Sequence, residues 1–255
     1  MIAHWDDVEG QRRDAGHIGG LWFDLGTAAQ TRTIGLRRMQ VDAGKFSTPA
    51  HVHAMEEEIF YILGGSGLLW QGGATAAVGA GDAIVHRILE DPHTLRAGDD
   101  GLDLLAFGER RDAGLCHLPR AGVSWADPVW VDAGGGLSPF KREAAVGPPD
   151  CPGPGPRPAN VVAAADAEVG FGGLARLLGK SAGSDRTGLN LVKLPAGGTG
   201  APPHCHSQEE ELFLVLAGSG DLLLWPPGGE SSLDNRSARA EIALARCACG
   251  SAASA

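Results

Sequence analysis

The stretch PAHVHAMEEEIFYILGGSG (49–67) decides the fold, because a closely similar stretch, PPHCHSQEEELFLVLAGSG, follows at 202–220. The two segments align at a constant offset of 153 positions, with paired histidines, an acidic triplet and closing glycines in register. The register continues without a gap back to Leu21 and Leu174, over about 50 residues. An internal repeat of this kind indicates a duplicated unit. The chain of 255 residues is therefore predicted to contain two domains.

The domain boundaries follow from the repeat and from a change of composition between its copies. The segment GPPDCPGPGPRPAN (147–160) is rich in proline and glycine, which is typical of a linker. We therefore predict a first domain with an N-terminal arm over 1–118 (unit one) and a connecting segment over 119–159. The second domain is predicted to occupy 160–255 (unit two).

The secondary structure is predicted to be all-β. Short apolar or alternating runs bounded by glycine are typical of strands in a closed or sandwiched antiparallel sheet, with turns such as GGSG (64–67) between them. The predicted strands are 33–41, 58–63 and 101–108 in unit one and 187–194 and 211–216 in unit two. The high content of glycine (39) and proline (16) also favours a turn-rich β architecture.

Charge and composition argue against several classes of partner. The net charge of −10 disfavours nucleic acid and anionic membranes, since phosphate neutralisation needs clustered Lys and Arg. No apolar run reaches the roughly 18 residues of a membrane-spanning helix, and the acidic N-terminus MIAHWDDVEG is unlike a signal peptide. The five cysteines form no CxxC pair. We expect a cytoplasmic protein whose partner is a small-molecule ligand or substrate.

The repeated HxH motif predicts a metal site in each unit. Residues two apart in a strand share a face, so His51 projects with His53, and His204 projects with His206. Neutral imidazoles together with a carboxylate bind divalent transition metals such as Fe, Mn, Ni or Zn. An acidic residue opens the next apolar run in each unit. In unit one, His93 follows a predicted strand and loop and is a further candidate ligand, whereas His86 is predicted to support a ligand.

These motifs resemble those of the cupins, whose first motif is G-x5/6-H-x-H-x3/4-E-x6-G and whose second contains PxG…H. The matching residues are Gly44, His51, His53, Glu58 and Gly65 in the first motif, and Gly81, Asp82 and His93 in the second. Val78 and Ala80 stand where the second motif often has proline. The resemblance covers about 20–110 and 173–225. It implies two tandem jelly-roll β-barrels, a bicupin, with a metal held by three His and one Glu, and pairing of the chain as a homodimer.

The resemblance also guides the choice within each acidic triplet. The family's ligand glutamate usually precedes the closing glycine by seven residues, which selects Glu58 before Gly65 and Glu211 before Gly218. Glu57 and Glu210 are the alternatives. The predicted ligands are His51, His53, Glu58 and His93 in unit one and His204, His206 and Glu211 in unit two.

Unit two is predicted to be incomplete. At the repeat offset, Asp234 and Arg246 stand where unit one has Gly81 and His93, and the counterpart of 101–108 falls beyond Ala255. We expect an irregular tail from about residue 226, which leaves the sheet edges of an open barrel. A truncation or frameshift near residue 225, an unrelated fold of the tail, or a missing part supplied by another chain would each explain this. A metal in unit two would then need water in the vacant ligand position.

The resemblance to cupins does not identify the reaction, because one fold hosts many chemistries. By family analogy we expect a metal-dependent enzyme of oxidoreductase, dioxygenase type that acts on a small organic molecule. One alternative is a sugar-phosphate or carbonyl isomerase. Phosphate binding needs basic residues, and those near the motifs are Arg37, Arg38, Arg87 and Arg96. The other alternative is a non-catalytic small-ligand-binding or storage cupin. No catalytic residue beyond the metal ligands is predicted.

Overall fold

A computed structural model shows an all-β chain, as predicted. It describes residues 2–110, 114–126, 129–132, 138–202, 204, 206, 209–224, 229–234 and 241–245. The strands up to the linker are β1 Ile2–His4, β2 Gln11–Ala15, β3 Ile18–Asp24, β4 Ile34–Val41, β5 Val52–His53, β6 Glu58–Gln71, β7 Ala74–Gly79, β8 Asp82–His86, β9 His93–Glu109, β10 Leu115–Leu118, β11 Val123–Ala126 and β12 Val129–Asp132. The later strands are β13 Val161–Ala163, β14 Val169–Gly170, β15 Ala175–Leu177, β16 Asn190–Val192, β17 Glu211–Val215, β18 Ser219–Leu224, β19 Gly229–Asp234 and β20 Glu241–Ala245.

Helices are few and short. They are α1 Leu25–Ala28, α2 Pro139–Val146 and α3 Leu178–Ser181, with single 3-10 turns at Trp5–Asp7 and Phe171–Gly173. Asp24 caps α1, because its carboxylate accepts hydrogen bonds from the amide and the hydroxyl of Thr27. Among the described residues, the helices all fall short of the length and apolarity needed to cross a membrane.

The main sheet of unit one has the strand order β13-β8-β6-β9-β4-β3-β2, and β7 pairs with β6 beside it. Strand β9 lies in the middle: β6 pairs along its length on one side, and β4 pairs with its second part, 102–109, on the other. The sheet is not closed into a continuous hydrogen-bonded ring, because β13 and β2 form its two ends. A second sheet, β12-β11-β10-β5, lies against the histidine motif.

The core of unit one fills the space inside the main sheet. Its fully buried side chains include Ile18, Phe60, Ile62, Ile84, Leu95 and Leu104. Burying each of them stabilises the fold by roughly 1.5–3 kcal/mol relative to exposure. Strand β8 is buried at every position, because β6 pairs with it on one side and β13 on the other while both faces are covered. The core therefore gives rigid support to the strand ends that carry the histidines.

Strand β6 does not end where the sequence predicted a turn. It continues from Glu58 to Gln71 through the GGSG segment. The strand stays paired with β9 by means of irregularities in register at Ile62–Gly64 and Gly65–Gly67. Gly65 has a φ of +79°, and a Cβ there would collide with the Gly101 carbonyl oxygen. The glycines thus bend a continuous strand, and the prediction of a turn over 64–67 was wrong.

Unit two consists of shorter sheets, with the orders β14-β15-β16, β1-β20-β17 and β18-β19. Strands β19 and β20 lie after residue 226, where we predicted an irregular tail, so that prediction fails for 229–234 and 241–245. These strands form because β19 pairs with β18 and β20 pairs with β17, although the sequence of the tail shows no apolar alternation. Arg246, which we noted in place of a third histidine, lies outside the described residues.

The strand orders of the two units correspond. The order β13-β8-β6 in unit one corresponds to β1-β20-β17 around unit two, and β4-β3-β2 corresponds to β16-β15-β14. Each unit also receives an edge strand from the other, since β13 pairs with β8 and β1 pairs with β20. Within the described residues, unit two has no counterpart of β9.

The two units are held together by a reciprocal pair of contacts, here called the crossed clasp. Glu57 of unit one accepts hydrogen bonds from the Ser184 hydroxyl at 2.7 Å and the Arg186 amide at 3.2 Å. At the equivalent place in unit two, Glu210 accepts hydrogen bonds from the amides of Arg32 at 3.0 Å and Thr33 at 2.8 Å. Each carboxylate therefore closes a loop of the other unit.

Apolar side chains pack around the crossed clasp in the same reciprocal way. Leu25 and Leu36 of unit one pack with Leu212 and Leu214 of unit two. On the other side, buried Ala182 and partly buried Leu189 of unit two pack against Ile59 and Val85 of unit one. This contact joins the outer faces of the sheets, so the apolar core and the histidines lie on the inner side of unit one.

Candidate metal centre

The backbone brings the predicted unit-one ligands to one place. His51 forms an antiparallel bridge with His93, and each backbone amide donates to the other residue's carbonyl, at 3.2 and 2.9 Å. His53 lies on β5, two residues further along the same extended segment. Glu58 is the first residue of β6. Two neighbouring segments and a third, 35 residues after Glu58, therefore meet at one end of the core.

The side chains converge on a single carboxylate oxygen. The Nε2 atoms of His51, His53 and His93 lie 3.3, 3.6 and 3.2 Å from Oε2 of Glu58. The four side chains are mostly buried, with 20% exposure for Glu58 and 2% for His93. The structure thus places three imidazoles and one carboxylate around one small buried volume.

In His51 and His93, the partner of Nδ1 bears on whether Nε2 offers a lone pair inside the site. Nδ1 of His51 lies 2.9 Å from the Pro49 carbonyl oxygen, and Nδ1 of His93 lies 3.3 Å from the Asp91 carbonyl oxygen. A carbonyl oxygen only accepts, so these contacts suit the tautomer with the hydrogen on Nδ1, which leaves the Nε2 lone pair of each ring for a metal. In the other tautomer, Nε2 carries the hydrogen and donates to Oε2 of Glu58.

His53 is the third ring, and its environment differs. Its Nδ1 lies 2.9 Å from Oε1 of Glu56, whereas its Nε2 is buried and has no hydrogen-bond partner among the described residues. Burial opposes ionisation of this ring, but the interactions with the carboxylates of Glu56 and Glu58 outweigh it and raise the pKa of His53 to about 10. Without a metal, the protonated His53 ring is the cation that offsets the charge of Glu58.

The pKa values of Glu58 and His93 are both lowered, whereas that of His53 is raised. Burial raises the pKa of Glu58, but hydrogen bonds to His51, His53 and His93 outweigh this effect and hold it well below its ordinary value. Burial is the main reason why the pKa of His93 falls to about 4, against the opposing effect of Glu58. In the metal-free protein, Glu58 is therefore ionised and His93 is neutral at pH 7.

We expect the metal-free protein to lose stability as the pH rises from 7 to 10. The pKa of His53 is higher in the folded state than the ordinary 6.5, so its contribution is complete below 6.5 and is lost as the pH passes about 10. The Glu56→Gln variant should show a flatter decline, because it lacks one of the carboxylates that hold the proton. Melting temperatures measured against pH in the presence of a chelator would check this. Parallel curves for the two proteins would contradict it.

The sequence did not indicate Cys116 as a neighbour of the site. Strand β10 pairs with β5 so that Cys116 is opposite His53, and the Sγ atom lies within 4.8 Å of the ligand nitrogens of His51 and His53. Burial, with a smaller effect of Glu58 and Glu56, raises the pKa of this thiol to about 12. Cys116 lies outside both motifs, and only the pairing of β10 with β5 reveals its position.

His86 lies beside the site, as part of its support. Its ring stacks on that of His93 with centroids 3.5 Å apart and planes inclined by 4°. Burial lowers the pKa of His86 well below its ordinary value, so the ring is neutral. Its Nε2 is buried without a hydrogen-bond partner among the described residues, and His86 is not part of the converging donor set. The stacked ring restricts the rotation of His93.

Unit two repeats the arrangement in a more open form. Nε2 of His204 and of His206 lies 3.5 and 3.7 Å from Oε2 of Glu211, and Nδ1 of His204 lies 2.7 Å from the Pro202 carbonyl oxygen. The side chains of His204 and His206 are 42% and 36% exposed, compared with 9% and 15% for their unit-one counterparts. The described part of unit two brings no third imidazole to this group.

The alternative glutamates lie outside both sites. Glu57 and Glu210 form the crossed clasp between the units, as described above. Two cavities, of about 370 and 620 Å³, also lie between the units, and no histidine lines either of them. The first is lined in part by Trp5, Arg38 and Tyr61. We therefore assign no substrate pocket from these cavities.

Residues 37–106 match the family model described as Cupin domain. The matched segment contains all four side chains that converge in unit one and covers less than half of the chain. No curated protein matches the chain significantly.

Several solved structures resemble parts of the chain. A sugar phosphate isomerase of the cupin superfamily from Silicibacter pomeroyi is 18% identical with a TM-score of 0.44, and the match covers 51% of this chain and 86% of that one. A protein from Acidithiobacillus ferrooxidans, provisionally assigned as a sugar phosphate isomerase, is 24% identical with a TM-score of 0.45, over 49% and 85% of the two chains. Oxalate decarboxylase from Bacillus subtilis, a protein with Mn(II) centres, is 17% identical with a TM-score of 0.34, over 44% and 30%. Similarities at this level do not inform the reaction.

Proposed function

We propose that unit one binds one divalent transition metal through His51, His53, Glu58 and His93. We further propose that it is a metal-dependent enzyme of oxidoreductase type that acts on a small organic molecule. The observation that carries the proposal is the convergence of three imidazole Nε2 atoms on one oxygen of Glu58, at 3.2 to 3.6 Å. Three imidazoles and one carboxylate that converge in this way form a donor set for a divalent cation.

The donor set suits Fe, Mn, Ni or Zn, because imidazole and carboxylate are ligands that these ions share. A single carboxylate leaves a divalent ion with net positive charge. An ion that prefers about six ligands would keep about two open positions beside four protein donors, where it could supply redox or Lewis-acid chemistry to a bound substrate. Open positions at a bound metal would let a small molecule reach it, which an oxidoreductase requires and simple storage does not.

The chain's own residues would keep this site ordered. Carbonyl oxygens of Pro49 and Asp91 fix the rings of His51 and His93 through their Nδ1 hydrogens. His86 holds His93 from one side by stacking. Burial keeps bulk water away from the donors and strengthens their electrostatic effect on a bound molecule. Fixed orientation and low hydration are what a reactive metal site requires of its surrounding protein.

The contacts of the nearby arginines disfavour the isomerase alternative for phosphorylated sugars. Arg38 forms a bidentate ion pair with Asp103, with distances of 2.9 and 2.6 Å. Arg87 donates to the Gly183 carbonyl at 2.8 Å. Two of the four arginines noted near the motifs are therefore already engaged away from the histidines. A carbonyl isomerase without a phosphate remains the second candidate, because a Lewis-acidic metal alone would serve it.

Metal analysis of the purified chain tests the proposal. After the intact mass is confirmed, we expect about one equivalent of iron or manganese per chain, held at the buried unit-one site. Removal of the metal with a chelator should abolish binding of oxygen-analogue probes such as nitric oxide, and reloading should restore it. Zinc as the sole metal bound would exclude redox chemistry and favour the isomerase. Failure to bind any metal after reloading would contradict the proposal as a whole.

A further inference from the structure

The pairing of β10 with β5 places one thiol on the face of the strand that carries a metal ligand. Cys116 is directly opposite His53 in this pair. The next residue, His117, is opposite Val52. Directly opposite residues of an antiparallel pair share a face, so Cys116 lies on the His53 side and His117 on the other. Nδ1 of His117 instead lies 2.9 Å from the Ser124 hydroxyl. The register therefore selects the cysteine, rather than the neighbouring histidine, as the group that faces the site.

The Cys116 sulfur belongs to a second donor set that overlaps the first. Its Sγ atom and one ring nitrogen from each of His51 and His53 all lie within 4.8 Å of one another. The ligand atoms of His51, Glu58 and His93 form the other set, within the same limit. Because His51 belongs to both sets, its ring brings the thiol close to the ion that the carboxylate set would hold.

Metal bonds are long enough to span most of this separation. A zinc ion binds sulfur at about 2.3 Å and imidazole nitrogen at about 2.0–2.1 Å, so sulfur and nitrogen on one ion are up to about 4.4 Å apart. The 4.8 Å limit on the Cys116 set exceeds that span by only a few tenths of an ångström. Small rotations of the side chains supply such a shift. A bond from Cys116 to a metal thus requires no change in the pairing of β10 with β5.

The imidazole opposite Cys116 has a nitrogen that needs a partner. Nε2 of His53 is buried and has no hydrogen-bond partner among the described residues, since Oε2 of Glu58 is 3.6 Å away. The other ring nitrogen, Nδ1, lies 2.9 Å from the carboxylate of Glu56, an arrangement that orients metal-bound histidines. A buried polar atom without a partner indicates a missing ion or ligand. A metal ion between this nitrogen and the Cys116 sulfur would satisfy it.

We propose that Cys116 is a further metal ligand of unit one and that its sulfur sets the metal preference of the site. This inference rests on the metal centre proposed above. The thiol proton leaves to solvent as the sulfur–metal bond forms, since a coordinated thiol binds as the thiolate. Thiolate sulfur suits iron and zinc, whereas carboxylate and water suit manganese. Cys116 therefore shifts the choice of metal away from manganese and towards iron or zinc.

Cobalt(II) is the probe, because its bond to a thiolate gives an intense charge-transfer absorption in the near ultraviolet. The full chain is stripped with a chelator and loaded anaerobically with one equivalent of cobalt, in a phosphine rather than a thiol reductant. We expect the band in the wild-type protein and its loss in Cys116→Ser and Cys116→Ala, both of which should still bind cobalt through the remaining ligands. Cys151→Ser, at the other cysteine in the described residues, is the matched control and should keep the band.

Competition with manganese measures the metal preference. The ratio of cobalt affinity to manganese affinity should be at least about tenfold lower in Cys116→Ser than in Cys151→Ser. Circular dichroism would establish that the variants are folded. A band that persists in both Cys116 variants would come from another of the five cysteines and would overturn the proposal, as would an unchanged affinity ratio. Stoichiometric cobalt without the band would overturn the role of Cys116 alone, whereas failure to bind cobalt would overturn the metal centre as well.

Discussion

Replacing His51 and His53 together by alanine is expected to remove about one equivalent of bound metal per chain. Two of the four converging donors are lost, and the remaining pair, Glu58 and His93, is too few to hold a divalent ion tightly. The sheet should still form, because neither ring belongs to the apolar core. Elemental analysis combined with far-UV circular dichroism would measure both effects.

The repeat supplies a matched control for this experiment. His204→Ala with His206→Ala changes the same motif in unit two, where the side chains are more exposed and lack a third imidazole in the described residues. We expect this variant to retain the tightly bound metal. Metal that survives the unit-one change at the wild-type level, or disappears with the unit-two change alone, would refute the assignment.

The second large effect is expected at the crossed clasp. Glu57 is 1% exposed and accepts hydrogen bonds from the Ser184 hydroxyl and the Arg186 amide. Glu57→Ala removes the acceptor of the Arg186 amide and one of the two acceptors near the Ser184 hydroxyl, in a part-buried contact, which should lower the free energy of unfolding by about 1–3 kcal/mol. Urea denaturation would measure the loss. Glu209→Ala, at a side chain that is 75% exposed, is the control and should change little.

Hydrogen exchange distinguishes the crossed clasp from a general loss of stability. Glu57→Ala should increase amide exchange at Asp185 and Arg186, in the other unit. Glu210→Ala should instead increase exchange at Arg32 and Thr33, whose amides donate to Glu210. If either variant affected only the loop of its own unit, the reciprocal arrangement would be wrong.

Local sequence patterns predicted much of unit one. The HxH spacing requires two rings on one face of an extended segment, so the proximity of His51 and His53 follows from strand geometry alone. The position of His93 opposite His51 required the motif resemblance, because a bridge between distant segments leaves no local signal. The all-β class followed in the same way from short apolar runs bounded by glycine.

Other features depend on tertiary pairing and could not be predicted. Glu57 and Glu58 are adjacent members of one acidic triplet, so their residue type does not distinguish them. Their side chains lie on opposite faces of the chain, where Glu57 contacts unit two and Glu58 contacts the histidines. Cys116 reaches the site only because β10 pairs with β5. The GGSG segment has the composition of a turn, and only the pairing of β6 with β9 keeps it extended.

The crossed clasp also limits how this chain can be divided. A polypeptide that carried unit one alone would retain the carboxylate of Glu57 and the loop at Arg32 and Thr33, but it would lack the partner of each. Two copies facing one another could exchange these partners through a two-fold axis. In this chain both partners of each contact lie in one molecule, so the exchange needs no two-fold axis and the sequences around Glu57 and Glu210 are free to differ.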